Sequence, residues 1–227
     1  MEGTTMKKII SLMTSVFLLM TISPSVAADA PDIPTLDGPL TGYVDEDLVF
    51  TVTTIDPEGD KIQYLFDWGN GEDSYWIPEK GVESGEEFEA IYSWNISGEY
   101  DVRVKARDMG GDETDWSEPI TVHINCLKIT SVGGGLGVSV TFKNVGHFAK
   151  DIDWNIELVG GTIPGFHINK FFDGEIQALQ ADETTTIGTG TVFALGQFKI
   201  KITAECAGEP TIEETVDAKI LFFYVLL

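Results

Sequence analysis

Three carboxylates alternate with single residues in one short stretch of the sequence. Asp56, Glu58 and Asp60 are separated by Pro57 and Gly59. This spacing presents several hard oxygen atoms to one point, and Ca²⁺ takes six to eight oxygen ligands. The same residues are also typical of a solvated hairpin turn. The sequence therefore supports two interpretations, a calcium site or a plain turn, and no cofactor is required. If calcium binds here, we expect the carboxylates of Asp67, Asp108 and Asp112 to lie at the same end of the fold.

The two cysteines form a second candidate pair. Cys126 and Cys206 are the only cysteines in the chain, and an even cysteine count in an exported protein indicates pairing. Cys126 opens the second half of the chain, and Cys206 follows a strand-like run. We therefore predict a disulfide within one sandwich, and two buried free thiols are the alternative. Two cysteines and three histidines are too few for a Cys/His zinc cluster.

Aromatic residues offer a third kind of chemistry, because a flat sugar face stacks on an exposed ring. Trp68 and Trp94 lie on the apolar side of their predicted strands, so we interpret them as core residues. Tyr75 and Trp76 lie between turn signals and are the candidates for glycan binding. Core or sandwich-end packing is the alternative.

The sequence contains no catalytic motif that involves its histidines. His123 lies at an outward position of a predicted strand, His147 follows Gly146 in a turn, and His167 lies in a glycine-flanked loop. None occurs in a nucleophilic motif or at metal-ligand spacing. Carboxylates acquire acid–base roles when they lie in apolar pockets. The acidic residues of this chain cluster in polar turns instead. We therefore predict that the chain is not an enzyme.

The elements that must position these residues are short strands. Tyr100, Val102, Val104 and Ala106 alternate with polar residues, which is the pattern of a half-buried strand. Turn clusters separate the runs, and no helical periodicity extends beyond one turn. Similar alternation occurs at residues 62–68, 88–94 and 120–124 in the first half, and at 138–142, 152–158 and 198–204 in the second. We predict a further strand at residues 184–191 and a last one at 218–227.

The N-terminal 28 residues have the features of a secretory signal. Lys7 and Lys8 precede an apolar run at residues 9–22, and small residues follow at 25–28. The run is shorter than the roughly 20 residues of a membrane span, so we favour cleavage over an uncleaved anchor. The mature chain is then secreted, extracellular or at the cell surface, with no transmembrane span.

Asn95-Ile96-Ser97 is a glycosylation sequon in a predicted turn.

Charge divides the chain into two parts. The net charge is −23, which disfavours nucleic acid as a partner because phosphate backbones are repelled. Residues 29–125 contain 24 acidic and 5 basic residues, whereas residues 126–227 contain 12 and 7. We therefore predict a boundary near Asn125, with one sandwich at 29–125 and another at 126–227. Surface adaptation to high salt would also account for the acidity.

Two motifs in the first half resemble a known family. The motifs are Phe66-Asp67-Trp68-Gly69-Asn70-Gly71 and, further on, Gly98-Glu99-Tyr100-Asp101-Val102-Arg103-Val104. They are similar to motifs of PKD (polycystic kidney disease) domains, over residues of about 31–125. The resemblance implies an immunoglobulin-like sandwich that serves as a spacer or interaction module on secreted and surface proteins. Asn70 stands where that family usually has Asp, and Tyr92 where it usually has His.

The second half resembles the small adhesion sandwiches grouped as CARDB-like. The resemblance rests on Lys143-Asn144-Val145-Gly146, on Trp154 in the following strand and on Leu179. The expected fold class is therefore all-β, with two tandem immunoglobulin-like antiparallel β-sandwiches after a signal peptide.

The expected function follows from this fold class. We expect a non-catalytic secreted or surface protein that acts in adhesion, surface assembly or as a spacer, with a protein or polysaccharide partner at the cell surface. The alternative is a glycan-binding accessory module, stabilised by calcium, that works with a secreted hydrolase.

Overall fold

The computed structural model describes residues 29–161, 168–206, 209–222 and 224–227. The expected signal segment at 1–28 and His167 lie outside these residues. In the described residues the chain forms strands and turns, and no helix there is long and apolar enough to cross a membrane. The strands are β1 (Thr35–Asp37), β2 (Thr41–Tyr43), β3 (Leu48–Thr53), β4 (Ile62–Asp67), β5 (Ile77–Val82), β6 (Phe88–Tyr92), β7 (Gly98–Asp108), β8 (Ile120–Asn125), β9 (Leu127–Gly133), β10 (Ser139–Asn144), β11 (Phe148–Gly160), β12 (Ile168–Gln180), β13 (Thr184–Gly188), β14 (Ala194–Cys206), β15 (Ile212–Phe222) and β16 (Tyr224–Leu226).

Strands β1–β8 form the first sandwich, which has a three-stranded and a five-stranded sheet. The strand orders are β1-β3-β6 and β2-β8-β7-β4-β5. The sheets face each other through apolar side chains at every second position, as in the ring contacts Phe50–Trp68 and Tyr64–Phe88. Trp68 and Trp94 are buried in this core, which confirms their interpretation as core residues.

Strands β9–β16 form the second sandwich on the same plan. Its sheets have the orders β13-β10-β9 and β12-β11-β14-β15-β16. Ile152, Ile156 and Leu158 of β11 and Ile200 and Ile202 of β14 are fully buried, because alternate side chains of a strand point to the same face. The loop at residues 134–138 joins the antiparallel strands β9 and β10 in a hairpin.

The structure differs from the expected antiparallel pattern in two places. Strand β2 pairs parallel to β8, with Thr41 opposite His123, so the first sandwich contains one parallel pair. The predicted last strand at 218–227 is instead the end of β15 and the separate strand β16. Leu221 and Tyr224 are cross-strand partners, so the chain reverses its direction between them. Phe222 lies at this reversal with a φ of 61°.

Candidate functional site

The carboxylate of Asp56 organises its own turn. One carboxylate oxygen accepts hydrogen bonds from the backbone N–H groups of Glu58 (3.0 Å) and Asp60 (2.9 Å). This is the way in which Asp residues stabilise tight turns. The second oxygen is buried and has no hydrogen-bond partner among the described residues. Asp56 is only 3% exposed, whereas Glu58 and Asp60 are exposed.

Asp108 repeats this arrangement at the same end of the sandwich. Its position is fixed because it pairs with Ile62, which lies just after the Asp56 turn. Oδ1 of Asp108 accepts the N–H groups of Gly111 and Asp112, and Oδ2 is buried without a described partner. Asp67 lies instead at the other end of β4, where it pairs with Arg103, so its expected place beside Asp56 was wrong.

The calcium hypothesis thus has two buried carboxylates with unpartnered oxygens at one end of the fold. Across residues 29–161, 168–206, 209–222 and 224–227, no three His, Cys, Asp or Glu side chains are placed so that they could hold a metal ion. Asp56, Glu58 and Asp60 therefore do not converge on one point here, and calcium binding stays a prediction.

A calcium titration distinguishes a calcium site from a plain turn. If Ca²⁺ binds the folded state, a concentration tenfold above Kd adds about 1.4 kcal/mol to the free energy of unfolding. The melting temperature should then rise in millimolar calcium and fall in chelator. Asp56→Asn is the matched variant, because the amide oxygen keeps the turn hydrogen bonds while the charge is lost, and it should abolish the calcium response. A melting temperature that calcium and chelator leave unchanged would refute the site.

A ladder of stacked cations and tryptophan rings covers the outer face of β7. Arg107 lies over the Trp76 ring at 4.4 Å from its centroid, and Arg103 lies over the Trp116 ring at 4.8 Å. Lys105 lies between them, at 5.4 Å from Trp76 and 5.5 Å from Trp116. These distances are within the range of cation–π attraction. We call these five residues the aromatic ladder.

The cations of the aromatic ladder are also paired with polar groups. Arg103 contacts Asp67 at 2.8 Å, Lys105 contacts Glu113, and Arg107 donates two hydrogen bonds to the side-chain oxygen of Gln63. The alternation of β7 predicts that its basic residues point outward, but it does not reveal Trp76 and Trp116 as their partners. Those two rings come from loops whose paths the period-two pattern does not specify.

The two glycan-binding candidates have different surroundings. Trp76 is half-buried beneath the cations of the aromatic ladder, whereas the side chain of Tyr75 is 91% exposed. Ser74 fixes the segment, because its hydroxyl accepts the backbone N–H of Phe66 and donates to the carbonyl of Tyr75. Tyr75 therefore offers a free ring face beside the ladder, and one face of Trp76 is already occupied.

Cys126 and Cys206 lie in contact where the two sandwiches meet. Both are buried, and their sulfur atoms are 3.2 Å apart, so the structure holds two thiols instead of the 2.05 Å bond of a disulfide. The hydrogen bond between them lowers the pKa of the Cys126 thiol, and that bond together with burial raises the pKa of Cys206. Cys206 ends β14 and Cys126 lies directly before β9, and these two strands belong to opposite sheets. A bridge here would join the two sheets of the second sandwich, and it stays a prediction.

A cavity of about 260 Å³ opens beside the thiols at this junction. Asn95, His147 and Glu209 line it together with both cysteines. His147 is exposed, and no hydrogen bond joins its ring to either sulfur in the described structure. A nucleophile–base pair needs such a bond, so the geometry does not form one.

Asn95 is exposed in the turn between β6 and β7, in agreement with its predicted position.

The two departures from the PKD pattern are in contact with each other. The side-chain amide of Asn70 donates a hydrogen bond of 2.8 Å to the hydroxyl of Tyr92. The Tyr92 ring stacks on Trp68, which lies in the same motif as Asn70, at 4.3 Å between centroids. The two unusual residues therefore form one local pair that holds the motif turn against β6.

Comparison with known proteins finds similar solved structures that include a PKD domain. No protein-family model and no curated protein matches the chain. The PKD domain of an M14-like peptidase from Thermoplasmatales archaeon SCGC AB-540-F20 is 37% identical, over 43% of this chain and 98% of that domain, with a TM-score of 0.40. The FN1-FN3 domains of chicken CNTN1 are 16% identical over 84% of this chain and 67% of theirs, with a TM-score of 0.31. At 37% identity over nearly a whole PKD domain, the chain belongs, through its first sandwich, to the PKD domain family.

Proposed function

We propose that this chain is a non-catalytic, exported protein that acts in adhesion or surface assembly, as a spacer that holds its partners at a fixed separation. The observation that carries the proposal is the connection between the sandwiches. Strand β8 ends at Asn125 and β9 begins at Leu127, so Cys126 alone joins them. A connection of one buried residue leaves no flexible linker, and linker length and composition set how freely two domains move.

Contacts around Cys126 support a stiff junction. Its carbonyl accepts the backbone N–H groups of Val145 (2.7 Å) and Gly146 (3.3 Å), which ties the connection to the second sandwich. From the other side, Lys128 lies over the ring of Tyr43 at 4.7 Å. The connection is therefore bound to the second sandwich, and a separate contact joins the two sandwiches beside it, as expected of a spacer.

The partner that fits this chain is a protein or polysaccharide at the cell surface. The first sandwich is strongly acidic, so it would favour cationic or calcium-bridged partners, and salt would weaken direct charge pairing. The test is retention of the exported protein on native envelope material at low and high salt, with a panel of peptide and glycan substrates in parallel. We expect retention that falls with salt and no turnover. Turnover of any substrate, or no retention at either salt concentration, would contradict the proposal.

A second candidate function, a glycan-binding accessory module that works with a secreted hydrolase, is favoured by the exposed Tyr75. A ring that protrudes next to the aromatic ladder can stack on a sugar. If it does so, Tyr75→Ala should reduce retention on an immobilised polysaccharide at least tenfold, because the exposed stacking surface is lost. Ile91→Ala, at another exposed apolar residue of the same sandwich, is the matched control. Equal retention of the unmodified protein, the Tyr75→Ala variant and the Ile91→Ala variant would eliminate Tyr75 as a sugar-binding residue.

A further inference from the structure

Large apolar side chains are exposed together at the end of the second sandwich that lies away from Cys126. They are between 46% and 63% exposed. Single exposed apolar residues are normal, but a contiguous patch indicates a binding surface. We call this group the distal surface, and it consists of Leu136, Phe193, Leu221, Phe222, Tyr224 and Leu226.

Strand pairing makes the distal surface continuous. Leu221 is the cross-strand partner of Tyr224, and Leu226 is the partner of Lys219 in the next row of the same face. The rings of Phe193 and Phe222 are 6.4 Å apart. Gly135 bridges to Val225, which places the loop containing Leu136 against β16. All of these segments are turns or strand ends, so the surface lies at the tip of the second sandwich.

The backbone at Phe222 indicates that its side chain has a use outside the fold. It occupies the turn between the partners Leu221 and Tyr224 with φ of 61°, a conformation that glycine or asparagine adopts most easily in tight hairpins. A bulky residue there is disfavoured by sterics. Phe222 is also 50% exposed, so burial offsets this conformation only in part. Neither the turn nor the core of the second sandwich explains a phenylalanine at this position.

The charge of the distal surface is opposite to that of the rest of the chain. The described residues 168–172, 190–204, 218–222 and 224–227 contain four lysines and no acidic side chains. Lys170 and Lys219 make no ion pair with a described residue, whereas Lys199 pairs with Asp217 and Lys201 pairs with Glu213. Nearer the junction, the same sheet places Asp153 directly between Glu175 and Glu205 on neighbouring strands. The end of this sheet near the first sandwich is therefore acidic, whereas the end at the tip has Lys170 and Lys219 without an acidic partner among the described residues.

We propose that the distal surface inserts into the headgroup region of a lipid bilayer that contains anionic lipid. Exposed aromatic and leucine side chains flanked by lysines are the composition of interfacial anchors, since the apolar groups enter the boundary and the lysines meet the anionic headgroups. A second copy of this chain would bring the same lysines against each other. Strand β14 runs from the tip to Cys206 over 13 residues, roughly 40 Å, so the acidic first sandwich would stand well away from the membrane.

Vesicle co-sedimentation tests this proposal. The exported protein, with its N-terminus verified by mass spectrometry, is mixed with vesicles of 30% POPG in POPC or of POPC alone. We expect binding to the anionic vesicles that is at least tenfold stronger than binding to POPC. Phe222→Gly should reduce that binding at least tenfold without lowering the melting temperature, because glycine suits the turn. Lys219→Glu should reduce binding to anionic vesicles only.

The controls distinguish lipid insertion from self-association. Ile91→Ser alters an exposed apolar residue of the first sandwich and should bind as the unmodified protein does. Equal binding of the Phe222→Gly variant and the unmodified protein would overturn the proposal. A dimer that sediments without lipid, and that the Phe222→Gly substitution dissociates, would also overturn the proposal. In that case the distal surface would bind a second copy of the chain.

Discussion

We expect the second sandwich to lose about 4.5 kcal/mol of stability when the bond between Cys126 and Cys206 is absent. The two residues are 80 positions apart, and closing a loop of this length restricts the unfolded chain by that amount in the chain-entropy description. For a unit of about 100 residues this corresponds to a fall in melting temperature of at least about 15 °C. Calorimetry of the protein with and without reductant measures this effect.

The sulfur contact explains how the bond would form. Both thiols are buried within 3.2 Å of each other, and the junction cavity reaches both of them. Cys126, whose thiol has the lowered pKa, would attack a small disulfide and release one small thiol. Cys206 would then attack the Cys126 sulfur of the mixed disulfide and release the second small thiol. Two protein thiols are oxidised to one bond, and the reagent is reduced to two thiols.

The control is Cys126→Ala combined with Cys206→Ala. This variant should melt close to the temperature of the reduced unmodified protein, and reductant should not change it further. Mass spectrometry of unreduced, alkylated protein should show no labelled cysteine. Two labelled thiols in protein from an oxidising compartment would show that the pair is structural and unbonded.

The first sandwich should depend most strongly on Trp94. This side chain is 2% exposed, lies across the ring of Phe50 and stacks on Tyr100, and its indole N–H donates to the carbonyl of Trp68 at 3.2 Å. Removal of a buried tryptophan costs about 3–5 kcal/mol because of the lost burial and the cavity left behind. Trp94→Ala should therefore lower the melting temperature of the first sandwich by at least about 12 °C.

Trp94→Phe is the matched control, because it keeps most of the ring and loses the indole donor. It should cost about 1–3 kcal/mol, the penalty of a buried carbonyl without its partner. If the sandwiches fold as separate units divided near Asn125, as we propose, Trp94→Ala shifts one calorimetric transition and leaves the other in place. A single transition that shifts as a whole would contradict that division.

Period-two alternation predicted most of the strands because one face of each strand is buried. Strands β4, β6, β7 and β8, and β10, β11 and β14 in the second half, lie within a few residues of their predicted positions. The tryptophan core was predictable for the same reason. Strand β12 was missed because it is an edge strand with exposed and half-buried residues, and its Gly174 and neighbouring sequence resemble a loop.

Features that depend on loops and on three-dimensional proximity were not predictable from the sequence. The two rings of the aromatic ladder reach β7 from separate loops, and Asp67 lies a strand's length from Asp108 because β4 and β7 are antiparallel. The run at residues 218–227 is uniformly apolar apart from Lys219, so no change of pattern marked the turn at Phe222. The cysteine contact was predicted from compartment and count, but its position between opposite sheets required the structure.

The central claim, a stiff connection between two sandwiches, is tested most directly by residual dipolar couplings in a neutral alignment medium. We expect one alignment tensor to fit the amide couplings of both sandwiches, because only Cys126 separates β8 from β9. Insertion of four Gly-Ser residues after Asn125 should then give two different tensors. Two different tensors in the unmodified protein would show that the sandwiches move independently and would contradict the spacer account.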